Sequence, residues 1–371
     1  MNIKNILRTL CVLFFVASCS MEDDILNGVG PEGSDVTGAS EVYAVVDLSL
    51  TSDRIQSKSI SFEDEKENPD SQEVSVWSFY VAVLNADNDD KVLTTYYCTD
   101  IRTLGSGHYT IKNGNGHFIC KIPASKPRLK FYVIANIYNG KDGAPDNVSE
   151  LNKCKDLTAL KNARLVDVDP NIMPKSGIKT LDNYPTYTSL ADIDHLADDN
   201  CPSVEVPLSQ STARIQLARI TVNDQPVDNI TVFSLKLSNR KQYTLAGREF
   251  EATSNDTQSG WSFVPFGVDS EGIVSNGDFR DLSNYSNIHF YTYENTSSTF
   301  KTTLEVEYQI GNEPQRSYSF EIKTPERGSS VIAGNVYQLY LNVKNSVAQG
   351  TIICKTKDWQ EGGNIELPAI E

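Results

Sequence analysis

Few side chains in this sequence are placed by spacing alone to do chemistry. The most suggestive group is His195, with Asp192, Asp194, Asp198 and Asp199 around it, a pattern that could bind a divalent ion or act as a general base. A solvated acidic loop is the commoner origin of such a pattern. The run Asp87-Asn88-Asp89-Asp90 offers oxygen ligands but lacks the central Gly and the distal bidentate Glu of a calcium loop, and it reads as a turn. Gly105-Ser106-Gly107-His108 and Gly114-Asn115-Gly116-His117 each precede strand-like residues. A phosphate loop needs a helix behind it to aim amides at the anion, so both are expected to be hairpin turns. No GxSxG elbow, HExxH pair, Walker loop or dinucleotide fingerprint occurs. Trp77, Trp261 and Trp359 could stack on sugars, but Trp77 alternates with apolar residues and is expected to be buried. No catalytic residue, cofactor or metal is expected, and the pattern favours an assembly or binding protein over an enzyme.

The residue with the clearest chemical fate is Cys19. Lys4 and Arg8 precede an apolar stretch over residues 10–17, too short to stay in a bilayer as a spanning helix, and the stretch ends Val16-Ala17-Ser18-Cys19. Small residues directly before the cysteine resemble a bacterial lipobox, in which Cys19 would be lipidated and become the mature N-terminus; the alternative is an ordinary cleaved signal that contains a cysteine. Residues 20–40, rich in Gly, Asp, Glu and Pro, read as a solvated tether. The five cysteines that follow Cys19, namely Cys98, Cys120, Cys154, Cys201 and Cys354, lack CxxC spacing, which supports neither a zinc ribbon nor a thioredoxin-type site. Cys98 and Cys120 fall in adjacent expected strands, where pairing and simple burial are both open.

A chain of 371 residues is too long for one ordinary domain. Its 39% apolar content supplies packed cores, and its net charge of −16 offers nothing to phosphate backbones or anionic lipid. Seventeen Tyr with abundant Val, Thr and Ser favour strands. Residues 41–50 alternate cleanly, Val42, Ala44, Val46, Leu48 and Leu50 facing one way. A polar stretch over residues 51–71 follows, carrying Arg54 and Ile55 just beyond that strand. Further strands are expected over residues 74–85, 92–98 and 129–138. Asn147-Val148-Ser149-Glu150 reads as a capping box opening one helix with Leu151, Cys154, Leu157 and Leu160 along its inner face. Residues 175–201 read as an irregular polar excursion. From residue 203 the strand pattern returns over residues 213–222, 230–237, 262–266, 288–293, 302–310, 317–322 and 336–343, at sandwich-like spacing. Past Gly362-Gly363 comes a surplus strand, residues 364–371, with Ile365, Leu367 and Ala369 on one face and Pro368 suited to an edge. The expected fold is all-β, two tandem sandwiches with one or two short helices.

Several of these segments together resemble the fimbrillin family of Bacteroidia, the subunits of type V pili. Leu208-Ser209-Gln210-Ser211-Thr212-Ala213-Arg214-Ile215 is similar to the segment joining that family's two domains. Tyr132-Val133-Ile134-Ala135-Asn136, Phe290-Tyr291-Thr292-Tyr293-Glu294-Asn295 and Ala333-Gly334-Asn335-Val336-Tyr337-Gln338-Leu339 resemble three of its core strands, and Asp358-Trp359 its tail. The family's Arg-Asn pair before the last core strand is Gly334-Asn335 here. Ser20-Met21-Glu22-Asp23-Asp24 is similar to the acidic tag of surface lipoproteins in these bacteria.

The resemblance implies two transthyretin-like β-sandwiches, over residues 55–207 and 208–371, behind a signal peptide (1–19) and a propeptide (20–54). It implies export through the periplasm to the outer-membrane surface as a lipoprotein, with membrane contact only through the lipidated precursor. An arginine-specific surface protease would cut between Arg54 and Ile55, and a neighbour's C-terminal strand, bearing Ile365, Leu367 and Ala369, would replace the strand of Val42, Ala44, Val46, Leu48 and Leu50. Removing residues 1–54 takes away eight acidic and three basic side chains, moving the net charge from −16 to −11. The implied partners are other fimbrial subunits and a host or bacterial surface receptor, with no nucleic acid. The role is a shaft or accessory/tip subunit in adhesion, the rivals being a membrane-retained anchor subunit and a surface glycan-binding lipoprotein.

Overall fold

Strands dominate because apolar and polar residues alternate along most of the chain, and each alternating run can bury one face only by joining a sheet. The structure, a computed structural model, describes residues 41–52, 76–98, 108–114, 116–137, 147–166, 173–193, 201–225, 230–241, 243–247, 257–258, 261–263, 273–274, 289–324, 331–344, 347–355 and 361–366. The first half contains β1 (Glu41–Ser52), β2 (Phe79–Asn85), β3 (Lys91–Cys98), β4 (His108–Ile111), β5 (Phe118–Pro123), β6 (Leu129–Ala135), β7 (Arg164–Val166), β8 (Lys175–Leu181), β9 (Thr186–Tyr187) and β10 (Ser203–Gln210). The second contains β11 (Thr212–Val222), β12 (Ile230–Ser238), β13 (Arg240–Lys241), β14 (Tyr243–Leu245), β15 (Thr257–Gln258), β16 (Trp261–Phe263), β17 (Ile273–Val274), β18 (His289–Tyr293), β19 (Thr303–Ile310), β20 (Arg316–Glu321), β21 (Val336–Lys344), β22 (Val347–Lys355) and β23 (Glu361–Glu366). The fold is all-β, and among the described residues there are two short helices, Asn147–Asn152 and Leu157–Asn162.

In the first half, β3, β2, β6 and β8 pair antiparallel in that order. β10 bridges two layers: Ser209 and Gln210 pair with β8, while Ser203 to Leu208 run parallel to β1. The inward residues of β1, β4, β5 and β10 pack with Phe79, Val81, Val83, Phe131 and Val133 in one core. Phe118 of β5 reaches across it, meeting Tyr96 edge-on at 5.8 Å and Phe131 at 6.2 Å. The opposite face of β2 and β6, with Tyr80, Ala82, Leu84, Tyr132 and Ile134, is also buried, beneath Leu151 and Leu160 of the two helices. Covering both faces explains why β2 is apolar throughout rather than alternating.

In the second half, the sheets β18-β11-β21-β22-β23 and β16-β12-β19-β20 enclose a second core, from Ala213 and Ile215 to Leu341 and Val343. A segment of the second half also reaches back onto the first. β14 pairs with β7, the Tyr132 hydroxyl donates to the Ala246 carbonyl at 2.7 Å, and the Gly247 N–H donates to the Lys161 carbonyl at 2.8 Å.

Three expectations need correction. The single helix is two, because the Asp156 side chain accepts from the Ala159 N–H at 2.8 Å and starts a new N-terminus, while the Lys155 carbonyl is drawn into a bond with Val92. The start of the polar excursion is instead β8, an interior strand paired with all of β6 from Leu129 to Ala135. Its composition hides it: the sheet buries Lys175 and Ser176 and turns Ile178 outward. The turn at Gly114-Asn115-Gly116-His117 does not fold β4 back on β5, since the two strands follow one another along β1. Elsewhere, Asp87 and Asp90 of the acidic turn are taken up by Arg128 and Lys130, and Trp77 is half-buried.

The junction where β10 leaves β8 has no spare room. A Cβ on Gly177 would land on the Pro207 carbonyl oxygen, with the Leu208 side chain 3.1 Å away. Gly177→Ala is expected to lower stability by about 1–3 kcal/mol through forced backbone displacement, read as a lower midpoint in urea unfolding.

Candidate functional site

The site is the slot that β1 fills. Along its first half, β1 pairs antiparallel with β5 from Glu41 to Val46 and, through Tyr43 and Ala44, with β9 as well. Along its second half it pairs antiparallel with β4 from Leu48 to Thr51 and parallel with β10 from Asp47 to Ser52. β1 is therefore an interior strand with partners on both edges, and among the described strands β4, β5 and β9 pair with β1 alone. Removing it would leave rows of backbone donors and acceptors unpaired on both walls of the slot.

The side chains carry the same message. Ala44, Val45, Val46, Leu48 and Leu50 are wholly buried, and Val42 packs at the core's edge. The expected inward face of Val42, Ala44, Val46, Leu48 and Leu50 is thus the face that enters the core. At roughly 1.5–3 kcal/mol for each buried Val or Leu, β1 contributes on the order of 10 kcal/mol of apolar burial. A domain's whole net stability is about 5–15 kcal/mol, so an empty slot would be strongly destabilising for this half.

Sequence reasoning missed the groups that report on the slot. Cys120 lies on β5 in register with Ala44, fully buried, and burial alone pushes its thiol up to about 12. Only the strand register reveals that pairing. Cys98, Cys120, Cys154 and Cys201 are all thiols, so Cys98 and Cys120 do not form the disulfide that their strand positions left open. His117 meets Asp47 of β1, with Nδ1 and Oδ1 2.7 Å apart.

Other expected sites fall differently. Arg54 and Ile55 lie outside the described residues, just past Ser52, as do Cys19, His195, Leu367 and Ala369. Asp192 is exposed, and its carboxylate accepts from the Thr188 hydroxyl and the Ser189 N–H at 3.2 Å. Ile365 lies in β23, which pairs with β22 of its own sheet, Ile365 opposite Ile352. The final segment thus supplies an edge strand within its own chain.

No family model matches the sequence, and no curated protein matches it. Solved structures do. A fimbrial assembly protein from Parabacteroides distasonis aligns at 16% identity over 88% of this chain and 100% of its own, with a TM-score of 0.50. The tip fimbrial protein Mfa3 from Porphyromonas gingivalis, with a C-terminal truncation, aligns at 11% identity over 85% and 99%, at 0.48. A fimbrilin from the same organism aligns at 10% identity over 81% and 90%, at 0.42. At these identities the likeness is one of fold. The chain thus shares a fold with the Parabacteroides distasonis fimbrial assembly protein over 88% of its length.

Proposed function

We propose that this chain is a fimbrial subunit of the shaft or accessory/tip kind, which polymerises by exchanging β1 for the C-terminal strand of a neighbour and serves adhesion. The observation that carries the proposal is the place of β1: an interior strand, joined to the other described strands only through residues 53–75, with Arg54 at the start of that connection. One cut there would separate β1 from the slot it fills. Strand exchange is then favourable, because a replacement with alternating apolar side chains restores both the backbone pairing and the core. Ile365, Leu367 and Ala369 supply that alternation on residues 364–371. The fold likeness to a fimbrial assembly protein supports the same reading.

In this account the signal peptide (1–19) directs export and Cys19 carries the lipid. Residues 20–54 form the propeptide, and residues 55–207 and 208–371 form the two sandwich domains. An arginine-specific protease at the cell surface acts between Arg54 and Ile55. The donor contact is head-to-tail and does not close, so it propagates as a filament. The partners are other copies or other fimbrial subunits, and a surface receptor on a host or bacterial cell. No step requires a catalytic residue in this chain.

Protein sheared from cells is expected to begin at Ile55 and to run as a high-molecular-weight polymer, by N-terminal sequencing and intact mass. A lipidated, monomeric chain beginning at Cys19 would overturn the shaft reading and leave an anchor subunit or a glycan-binding lipoprotein. Arg54→Ala is expected to abolish polymer while the precursor accumulates in the membrane with an unchanged thermal midpoint.

Cys120 supplies a second readout. At pH 8 a thiol with a pKa near 12 is only about one part in ten thousand thiolate, and β1 also covers it. Iodoacetamide labelling of Cys120, followed by peptide mass spectrometry, is expected to be negligible in the precursor. It should rise at least a hundredfold once β1 is cut and lost, and fall again in the polymer.

A further inference from the structure

Three side chains of different ligand chemistry converge at the middle of β1. Asp47 lies between Val46 and Leu48, His117 closes the turn that follows β4, and Cys201 stands two residues ahead of β10. One ligand atom from each lies within 4.8 Å of the other two. The His117 side chain is 4% exposed and that of Asp47 37%, so the group has a buried floor and an open side.

Backbone bonds hold Asp47 and His117 in place and tie Asp47 to the residue after Cys201. The Asp47 N–H donates to the carbonyl of Pro202, the residue after Cys201, at 3.0 Å. The His117 N–H donates to the Gly114 carbonyl at 2.7 Å, and its own carbonyl accepts from the N–H groups of Asn113 and Gly114. Gly116 takes φ +83°, a conformation that lets this turn close. Beside Asp47 and His117 opens a hollow of about 350 Å³, bordered also by Ser49, Thr110 and Lys112.

A carboxylate, an imidazole and a thiolate together suit a borderline divalent transition metal, whereas calcium and magnesium take oxygen. Tetrahedral bonds of about 2.0–2.3 Å place ligand atoms roughly 3.3–3.8 Å apart, so the 2.7 Å contact between His117 Nδ1 and Asp47 Oδ1 must open when the ion binds. The hollow has room for water as the fourth ligand. Carboxylate and thiolate also carry the two negative charges that a divalent ion balances.

We propose that Asp47, His117 and Cys201 form a zinc-class metal site that fastens β1 to the strands beside it. The three are far apart in sequence, so residue spacing gave no sign of them. Asp47 is the only ligand from β1, while His117 follows β4 and Cys201 leads into β10. The site therefore ties β1 to both walls of its slot. Its consequence rests on the reading that β1 leaves: a cut β1 would be lost more slowly while metal is bound than after metal is withdrawn.

The test is titration of the uncleaved precursor with cobalt(II), a coloured stand-in for zinc. One equivalent is expected to bind, giving thiolate-to-cobalt absorption in the near ultraviolet and the intense visible bands of a tetrahedral ion. Cys201→Ser, a near-isosteric change, should remove the near-ultraviolet band, and His117→Gln and Asp47→Asn should each weaken binding about tenfold or more. Zinc should raise the thermal midpoint of the wild-type precursor and not that of Cys201→Ser, whose metal-free midpoint confirms that it is folded. Absence of the band, or its survival in Cys201→Ser, would overturn the site. Either result leaves strand exchange standing, because that reading is tested by the N-terminus and mass of the polymer.

Discussion

An interior strand held by one covalent connection is the constraint on which the first half of the molecule depends. β1 supplies partners to β4, β5, β9 and β10 at once and lines the core with Ala44, Val46, Leu48 and Leu50. Backbone groups on both walls need a strand between them, and the core needs small and branched side chains at alternate positions. Nothing in that requirement specifies which chain provides the strand. A slot demanding an alternating strand, filled by one that a single cut can free, is the physical basis of the proposed polymerisation.

The second core shows the same arrangement made permanent. β11 is likewise the first strand of its half, lies between antiparallel β18 and parallel β21, and carries Ala213, Ile215 and Leu217 inward. It differs in its connections, since β10 leads directly into it through Ser211 and the chain continues beyond it to β12. Cutting one loop cannot release β11. The two halves thus share a central first strand, and only β1 has the connectivity to be exchanged. β23, at the far edge of the second half's sheet, lies in its own chain against β22. Donation to a neighbour would begin by breaking that edge pairing, which costs far less than withdrawing an interior strand.

What could be read from the residues follows from which strands are buried on one face. β10 and β19 alternate because one side is wet or half-wet, whereas on β1 Val45 and Ser49 of the outer side are buried too; in all three the inward residues are those the period predicts. β8 is illegible because its place comes from backbone pairing with β6, while Lys, Ser, Gly and Thr outnumber its two apolar residues, Ile178 and Leu181. The helix break at Asp156 depends on contacts with residues 90–92, which lie far away in sequence. The importance of Cys120 and the meeting of Asp47, His117 and Cys201 exist only in the register of β1 against its neighbours. The alternation of β1, Arg54 and the C-terminal strand stood in the sequence. That β1 is interior did not.

The central claim is that a neighbour's final strand occupies the slot β1 leaves, and disulfide trapping tests it most directly. With Ile365→Cys, Leu367→Cys or Ala369→Cys introduced singly, and every native cysteine after residue 19 except Cys120 replaced, mature polymer would be oxidised and run in denaturing, non-reducing gels. The account predicts that at least one position joins Cys120 of the adjacent subunit, producing a ladder of covalent multimers that collapses on reduction. A monomer band alone from all three, in polymer that forms normally, would contradict it.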